Sequence, residues 1–228
     1  MAKKLNRYEN FVKRVKHCHH NEEQAIFFIS APSAAGKDGL WKFLSKMGYD
    51  KKYQLHKVIS TTTRYPRINE ICGYDYFFTP KCALTDKKGK FLSFCVNPVS
   101  FGKDISGEHV WYCYTEKELE EPLKEGKSLF FNVIGSAVPF YKDYFSERFP
   151  NVKLISTCWT ITADAQKEKF YRREPNKTAE ELQAILDSRA PERKMYDKLI
   201  AKGIFDFVDD ASIRLVDWKH KQYKKHNK

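Results

Sequence analysis

One stretch constrains this chain more than any other: IFFISAPSAAGKDGLWKFL, residues 26–44. Ala25 to Ser30 is a short, continuous apolar run closed by a Pro/Gly turn, which reads as a buried strand. Leu40, Phe43, Leu44 and Met47 then recur at helical spacing, and Gly48 is the stop signal. Between strand and helix lies a near match to the pattern Gly, four residues, Gly-Lys-Ser/Thr. Ala31 stands for the first glycine, Gly36 and Lys37 fit, and Asp38 replaces the hydroxyl. Such a loop holds phosphate because backbone N–H groups and a helix N-terminus converge on the anion while the lysine adds a full charge. Ser33, Ala34, Ala35, Gly36, Lys37, Asp38 and Gly39 are therefore the candidate phosphate-binding residues. Ala34 and Ala35 are small enough for close approach, although neither reaches positive φ as readily as glycine. A Ser/Thr hydroxyl at the Asp38 position ordinarily ligates Mg²⁺, and a carboxylate is also a hard-metal ligand, so Asp38 is the candidate metal ligand. The competing reading is a loop decayed into a structural turn.

Context separates this loop from two decoys. FGKDIS at 101–106 contains Gly-Lys-Asp, but no strand is expected before it and Gly107 follows at once. In EGKSLFFNV at 125–133, Glu121 stands where the first glycine belongs, and the lysine opens an apparent strand rather than a helix.

The chain has 228 residues, enough for a sizeable core, and its 42% hydrophobic content excludes a disordered class. No apolar run approaches the roughly 20 residues of a bilayer span, and the basic N-terminus develops no signal core, so the expected location is cytoplasmic with no membrane partner. Six cysteines show no paired CxxC spacing, so HCHH at 17–20 reads as a basic helix end rather than a zinc site, and the expected compartment argues against disulfides. Much of the net charge of +12 lies in the first 16 residues and in the tail WKHKQYKKHNK. Without an accompanying RNA-binding motif, the expected partner is an anionic small molecule and not a nucleic acid.

Leu5, Tyr8, Phe11, Val12 and Val15 place an amphipathic helix over 5–16. Thr115 and Glu118 form a capping box opening a helix that Pro122 should end or bend. Residues 128–134 and 152–161 are further strands, 164–173 and 178–200 are charged helices, 205–208 is a last strand and 211–223 a closing helix. Strands alternating with helices imply a parallel sheet covered on both faces.

Downstream of the loop, STTTRYPRINEICGYDYFF at 60–78 closely resembles the acceptor-phosphate segment of guanylate kinases. The loop, this segment, the strand near 130 and a charged lid occur in that family's order, over about residues 25–215. Arg64 and Arg67, three apart, can converge on one phosphate as charge-assisted donors, and Ser60 and Tyr76 add neutral hydroxyls. The resemblance implies that these four hold the acceptor phosphate and that Glu70 positions the arginines. It further implies that Lys37 and Arg64 take part in catalysis, together with lid arginines Arg172, Arg173 and Arg189, which would offset charge in the transition state. Arg189 matches only with about three residues inserted, and Arg172 and Arg173 compete for one role; surface salt bridges to Glu168 or Glu192 are the alternative.

The family's guanine-reading positions are altered. Ser93 stands for a glutamate, Tyr112 is kept while Cys113 and Tyr114 replace Gly-Ser, and Asn132 and Ile134 replace two acidic residues. Gly36-Lys37-Asp38, Ser93-Phe94, and Asn132 with Pro139 are instead similar to the ribose 1,5-bisphosphate phosphokinases, a sister family of the same fold, whereas Arg67 to Tyr76 looks more like a guanylate kinase.

The resemblance implies a three-layer α/β/α P-loop NTPase fold of the nucleoside monophosphate kinase type. The expected order is an N-terminal helical extension (1–23), core with the loop (24–58), acceptor-binding subdomain (59–126), core (127–163), lid (164–203), and core end with basic tail (204–228). ATP and Mg²⁺ are the implied cofactors. Acceptor contacts would come from Ser60, Arg64, Arg67, Glu70, Tyr76, Ser93, Tyr112 and Asn132. The acceptor would be GMP or another nucleoside monophosphate, alternatively ribose 1,5-bisphosphate. A non-catalytic guanylate-kinase-like binding module is the remaining alternative.

Overall fold

The computed structural model describes residues 7–66, 68, 70–104, 106–173 and 176–212. The chain divides into two units, residues 1–53 with 131–228 and residues 54–130. No described helix is long and apolar enough to cross a membrane.

The first unit is built on β1 (Ala25–Ser30), whose six residues are all buried. An uninterrupted apolar strand suits the middle of a parallel sheet, where both faces are covered. β8 (Lys153–Thr160) runs parallel to β1 from Ala25↔Lys153 to Ser30↔Cys158, and β9 (Phe207–Asp210) runs parallel to β8. The unit boundary falls within β7 (Ser128–Asn132). Within this unit the sheet order is the end of β7, then β1, β8 and β9, and helices lie on both sides; β2 (Leu55–Lys57) belongs to the second unit. Phe27, Phe28, Phe131, Tyr141, Phe145 and Trp159 fill the core, each side chain contributing about 1.5–3 kcal/mol by leaving water.

Helix α1 (Arg7–His20) buries Tyr8, Phe11, Val12, Val15 and Cys18, the helical spacing expected, and runs four residues beyond the expected end. Its HCHH run is the last turn, where burial pushes the Cys18 thiol up to about 11. Polar anchors fix α1 to β9: Asn10 Nδ2 donates to Asp209 at 2.8 Å, and Arg14 Nη1 lies 2.8 Å from the other oxygen. Helix α2 (Lys37–Lys46) follows the loop, and a short α3 (Tyr49–Lys52) follows Gly48.

The second unit holds a four-stranded sheet in the order β4-β3-β6-β5, from β3 (Thr61–Thr62), β4 (Phe77–Phe78), β5 (Cys95–Lys103) and β6 (His109–Thr115). In this unit β2 also pairs in parallel with the start of β7, and α4 (Glu116–Lys124) leads to that strand. Thr115 accepts the Glu118 N–H as the cap. Pro122 does not end the helix, which runs on to Lys124. It sits buried in the last turn of α4, and its own carbonyl accepts from the Lys127 N–H.

Three other expectations are corrected. FGKDIS does have a strand before it, since β5 runs to Lys103; what excludes it is a hairpin turn in place of a helix, with Asp104 Oδ1 accepting from the Ser106 and Glu108 N–H groups. The helix expected over 178–200 is two, α7 (Ala179–Ser188) and α8 (Ala190–Ala201), divided at Arg189 because Pro191 belongs to a first turn. The last strand begins two residues later than expected, at Phe207, where its register with Thr157 of β8 starts, and Phe205 remains a buried contact before it. The remaining helices are α5 (Val138–Arg148) and α6 (Ala163–Arg173). The closing helix expected to 223 lies, from 213 on, outside the described residues.

Candidate functional site

The loop leaves β1 at Ser30, whose hydroxyl donates to the Val133 carbonyl at 2.7 Å, and reaches α2 at Lys37. Gly36 is the N-cap residue, with φ 93° and no side-chain cap, so the helix start keeps donors for a ligand. Ala34 also takes positive φ, 62°, the conformation for which glycine is favoured. Gly39 cannot be replaced freely: a Cβ there would lie 2.6 Å from the Tyr8 hydroxyl. Lys37 Nζ donates to the Ala31 carbonyl at 2.6 Å. Burial pulls its pKa down, opposed by the carboxylates of Asp38 and Glu192. Asp38 stands exposed in the first turn of α2, next to Lys37, and its hard oxygens suit a divalent cation there.

Ser33 is gripped from the far side of the sequence. Its N–H and hydroxyl both donate to Glu192 of α8, at 3.2 and 3.3 Å, and its carbonyl accepts from Gln166 Nε2 of α6 at 2.8 Å. Gln166 Oε1 in turn accepts from Arg193 of α8. Gln166 and Arg193 escaped the sequence reading. The heptad-like spacing of α6 would have marked Gln166 as an inward position, but its partner could not be named.

The three lid arginines diverge. Arg172 makes an i,i+4 ion pair with Glu168 at 2.6 Å on the exposed face of α6. Arg173 ends that helix, and its side chain is outside the described part of the structure. Arg189 lies half-buried at the α7–α8 junction, and its Nε has no hydrogen-bond partner among the described residues. Asn132 ends β7 in this unit.

In the second unit Arg64 is held from three sides. Its Nη1 and Nη2 each donate to one oxygen of Glu70 at 2.7 Å, Nε donates to Tyr112 Oη at 3.0 Å, and Nη1 also reaches the Tyr65 carbonyl. The guanidinium lies 4.8 Å from the Tyr76 ring centre. Burial lowers its pKa, but the bonds to Glu70 and the contact with Tyr112 outweigh that and raise it, so the charge is secure. A guanidinium has five N–H donors. Four are spent within the protein, and one Nη2 hydrogen is without a partner among the described residues. The Nη pair of Arg64 therefore faces Glu70.

Ser60 is buried and donates to the Cys113 carbonyl at 3.3 Å. It also hydrogen-bonds the Tyr114 hydroxyl, whose pKa burial raises. Tyr76 packs edge-on to Tyr112, ring centres 5.9 Å apart. Ser60, Arg64, Glu70, Tyr76 and Tyr112 thus gather in one place, joined by Tyr114. Period-two alternation along β6 could have found Tyr114, since it shares a face with Tyr112. Ser93 is not part of this group: it is exposed in the turn before β5, an edge strand two places from β3. Arg67 lies outside the described residues.

No family model matches the chain. It is 33% identical over 116 residues to the guanylate kinase of Helicobacter pylori strain J99, which is 50% of this chain and 49% of that protein. It is 32% identical over 123 residues to the guanylate kinase of Wigglesworthia glossinidia brevipalpis, 54% of this chain and 55% of that one. A crystal structure of guanylate kinase from Anaplasma phagocytophilum superposes with a TM-score of 0.48 at 16% identity, over 90% of this chain and 86% of that one. The chain therefore spans about half the length of the relatives it matches, and over that half it is similar in sequence to guanylate kinases.

Proposed function

We propose that this chain is an ATP-dependent phosphotransferase that adds the γ-phosphoryl group of ATP to a phosphomonoester, GMP or another nucleoside monophosphate. The observation that carries the reading is the uncapped start of α2, entered through left-handed Gly36 and opened by half-buried Lys37. A module that only bound an acidic protein partner would have no use for that lysine.

In this reading the N–H groups of residues 34–38 cradle the ATP phosphates and Lys37 neutralises them. Asp38 would hold Mg²⁺, which supplies charge neutralisation at the β- and γ-phosphates when bound. Ser60, Tyr76 and the remaining Arg64 donor would hold the acceptor phosphate, with Arg67 as the second cation and Glu70 and Tyr112 keeping Arg64 in place. An acceptor phosphate oxygen attacks Pγ, the bond from Pγ to the β–γ bridging oxygen breaks, and ADP leaves. The protein forms no covalent bond; its work is to align and to stabilise charge, with Arg189 as the lid cation. Lid closure would exclude water and suppress hydrolysis of ATP. Such an enzyme works where ATP and nucleotides are plentiful, in the cytoplasm.

The similarity to guanylate kinases favours a nucleotide acceptor. Ser93, exposed, and Tyr114, bonded to Ser60, do not form the guanine reader of that family, so weak discrimination among bases is expected. The test is ADP release from MgATP with GMP, dGMP, AMP or ribose 1,5-bisphosphate, with Lys37→Ala as control. Turnover with a nucleoside monophosphate, lost in Lys37→Ala, is expected. Turnover with the bisphosphate alone would replace the acceptor class by a phosphosugar. Silence with all four, with no MgATP binding, would sink the reading.

A further inference from the structure

The phosphotransfer reading leaves the N-terminal helix without work, yet its first turn lies against the phosphate loop. Tyr8 Oη donates to the Gly36 carbonyl at 3.1 Å. The phenol oxygen in turn receives a hydrogen bond from the Arg7 guanidinium, which stacks 5.1 Å from the Trp159 ring centre. On the loop's other flank, buried Gln166 donates to the Ser33 carbonyl at 2.8 Å while Arg193 donates to its amide oxygen. Two loop carbonyls are thus each held by a side chain that a buried or half-buried cation polarises, an arrangement that strengthens both bonds in each chain.

The peptide plane turns this into a statement about ligand binding. Every described peptide is trans, so a carbonyl and the next residue's N–H point in opposite directions. Holding the Gly36 carbonyl against Tyr8 aims the Lys37 N–H away from α1. Holding the Ser33 carbonyl against Gln166 likewise aims the Ala34 N–H away from α6. Both are peptides at which the chain enters or leaves a positive-φ residue, Ala34 at 62° and Gly36 at 93°, so neither orientation is secured by ordinary backbone preference.

We infer that Tyr8 and Gln166 are positioning residues for the donor polyphosphate: each holds one loop carbonyl from outside, so that the N–H across the same peptide is aimed at the bound phosphates. The inference rests on the phosphotransferase reading of this loop. It gives α1 a role in donor binding, and one indifferent to the base, because the aimed groups meet only phosphate.

The test uses the full chain and titration calorimetry with MgATP, MgADP and magnesium tripolyphosphate. Tyr8→Phe keeps the ring against Trp159 and Phe43 and removes only the hydroxyl; Gln166→Met keeps the volume and removes the amide. Each is expected to weaken all three ligands about fivefold, the size of one neutral hydrogen bond, with the acceptor KM unchanged. Val12→Ala on the same helix is the structural control: it should lower the melting temperature and leave polyphosphate affinity as in the wild type. Wild-type affinity in Tyr8→Phe overturns the inference, as does equal weakening in Val12→Ala. If the unaltered chain binds none of the three ligands, the phosphotransferase reading falls first and this inference with it.

Discussion

Gly39→Ala combined with Tyr8→Phe tests the packing of α1 on the loop by a change of sign. Gly39 sits inside α2 with an ordinary helical φ, so alanine by itself should stabilise the helix by about 1 kcal/mol. In the wild type, however, the new Cβ would lie 2.6 Å from Tyr8 Oη, where comfortable contact needs roughly 3.5 Å. Tyr8 has little room to retreat: it is 5% exposed, with Phe43 and Trp159 rings at 5.5 and 5.7 Å. Moving it breaks the bond to the Gly36 carbonyl. Overpacking and an unsatisfied buried hydroxyl together exceed the helix gain, for a net loss of about 2–3 kcal/mol. In the Tyr8→Phe background the nearest atom becomes the ring Cζ at 3.9 Å, an ordinary contact. There the same substitution should be neutral or stabilise by up to about 1 kcal/mol, giving a coupling of about 3 kcal/mol across the cycle. Urea unfolding followed by tryptophan fluorescence measures it, since Trp159 lies against Tyr8. Equal effects of Gly39→Ala in the two backgrounds would refute the reasoning.

Three further outcomes follow from the same geometry. Glu70→Ala should raise the acceptor KM on the order of tenfold to a hundredfold and leave the ATP KM unchanged, because two charge-assisted bonds hold Arg64 and the pair is only 10% and 17% exposed; steady-state kinetics decide, and an unchanged acceptor KM would remove Glu70 from the site. Arg14→Met should cost about 3–5 kcal/mol in urea unfolding, since Asp209, 6% exposed, would keep Asn10 but lose its cation. Burial, with Arg7 nearby, pulls the Lys169 pKa down to about 8 from the usual lysine value of 10.5. The unfolded state then binds the extra proton between those values, so this group adds stability as pH rises through that window. Lys169→Met should remove that increment, and urea midpoints at pH 7.5 and 9.5 with identical pH slopes in both proteins would count against it.

Pairs such as Arg14–Asp209 show where sequence patterns lose sight of the molecule. Asp209 lies just past the strand read over 205–208, yet it belongs inside β9 with its charge met by a helix 195 residues away. The split at Arg189 was legible in Pro191, which reading the span as a single helix overrode. Pro122 shows the converse, since a local rule about proline gave way at a buried position inside α4.

The strand, loop and helix over 25–46 were determined by the sequence alone, because unbroken apolar character, a turn and helical periodicity are short-range properties. So was the grouping of Ser60, Arg64, Glu70 and Tyr76, which lie within one short segment whose order is itself the signal. Only the tertiary structure decided what restrains that loop and how Arg64 spends its donors. Tyr8 meets Gly36 from 28 residues away, Gln166 and Glu192 meet Ser33 from 133 and 159, and Tyr112 meets Arg64 from 48. Such contacts carry no periodicity. They are selected by the packing of whole elements, which brings particular atoms within about 3 Å, and no pattern along the chain encodes which atoms those will be.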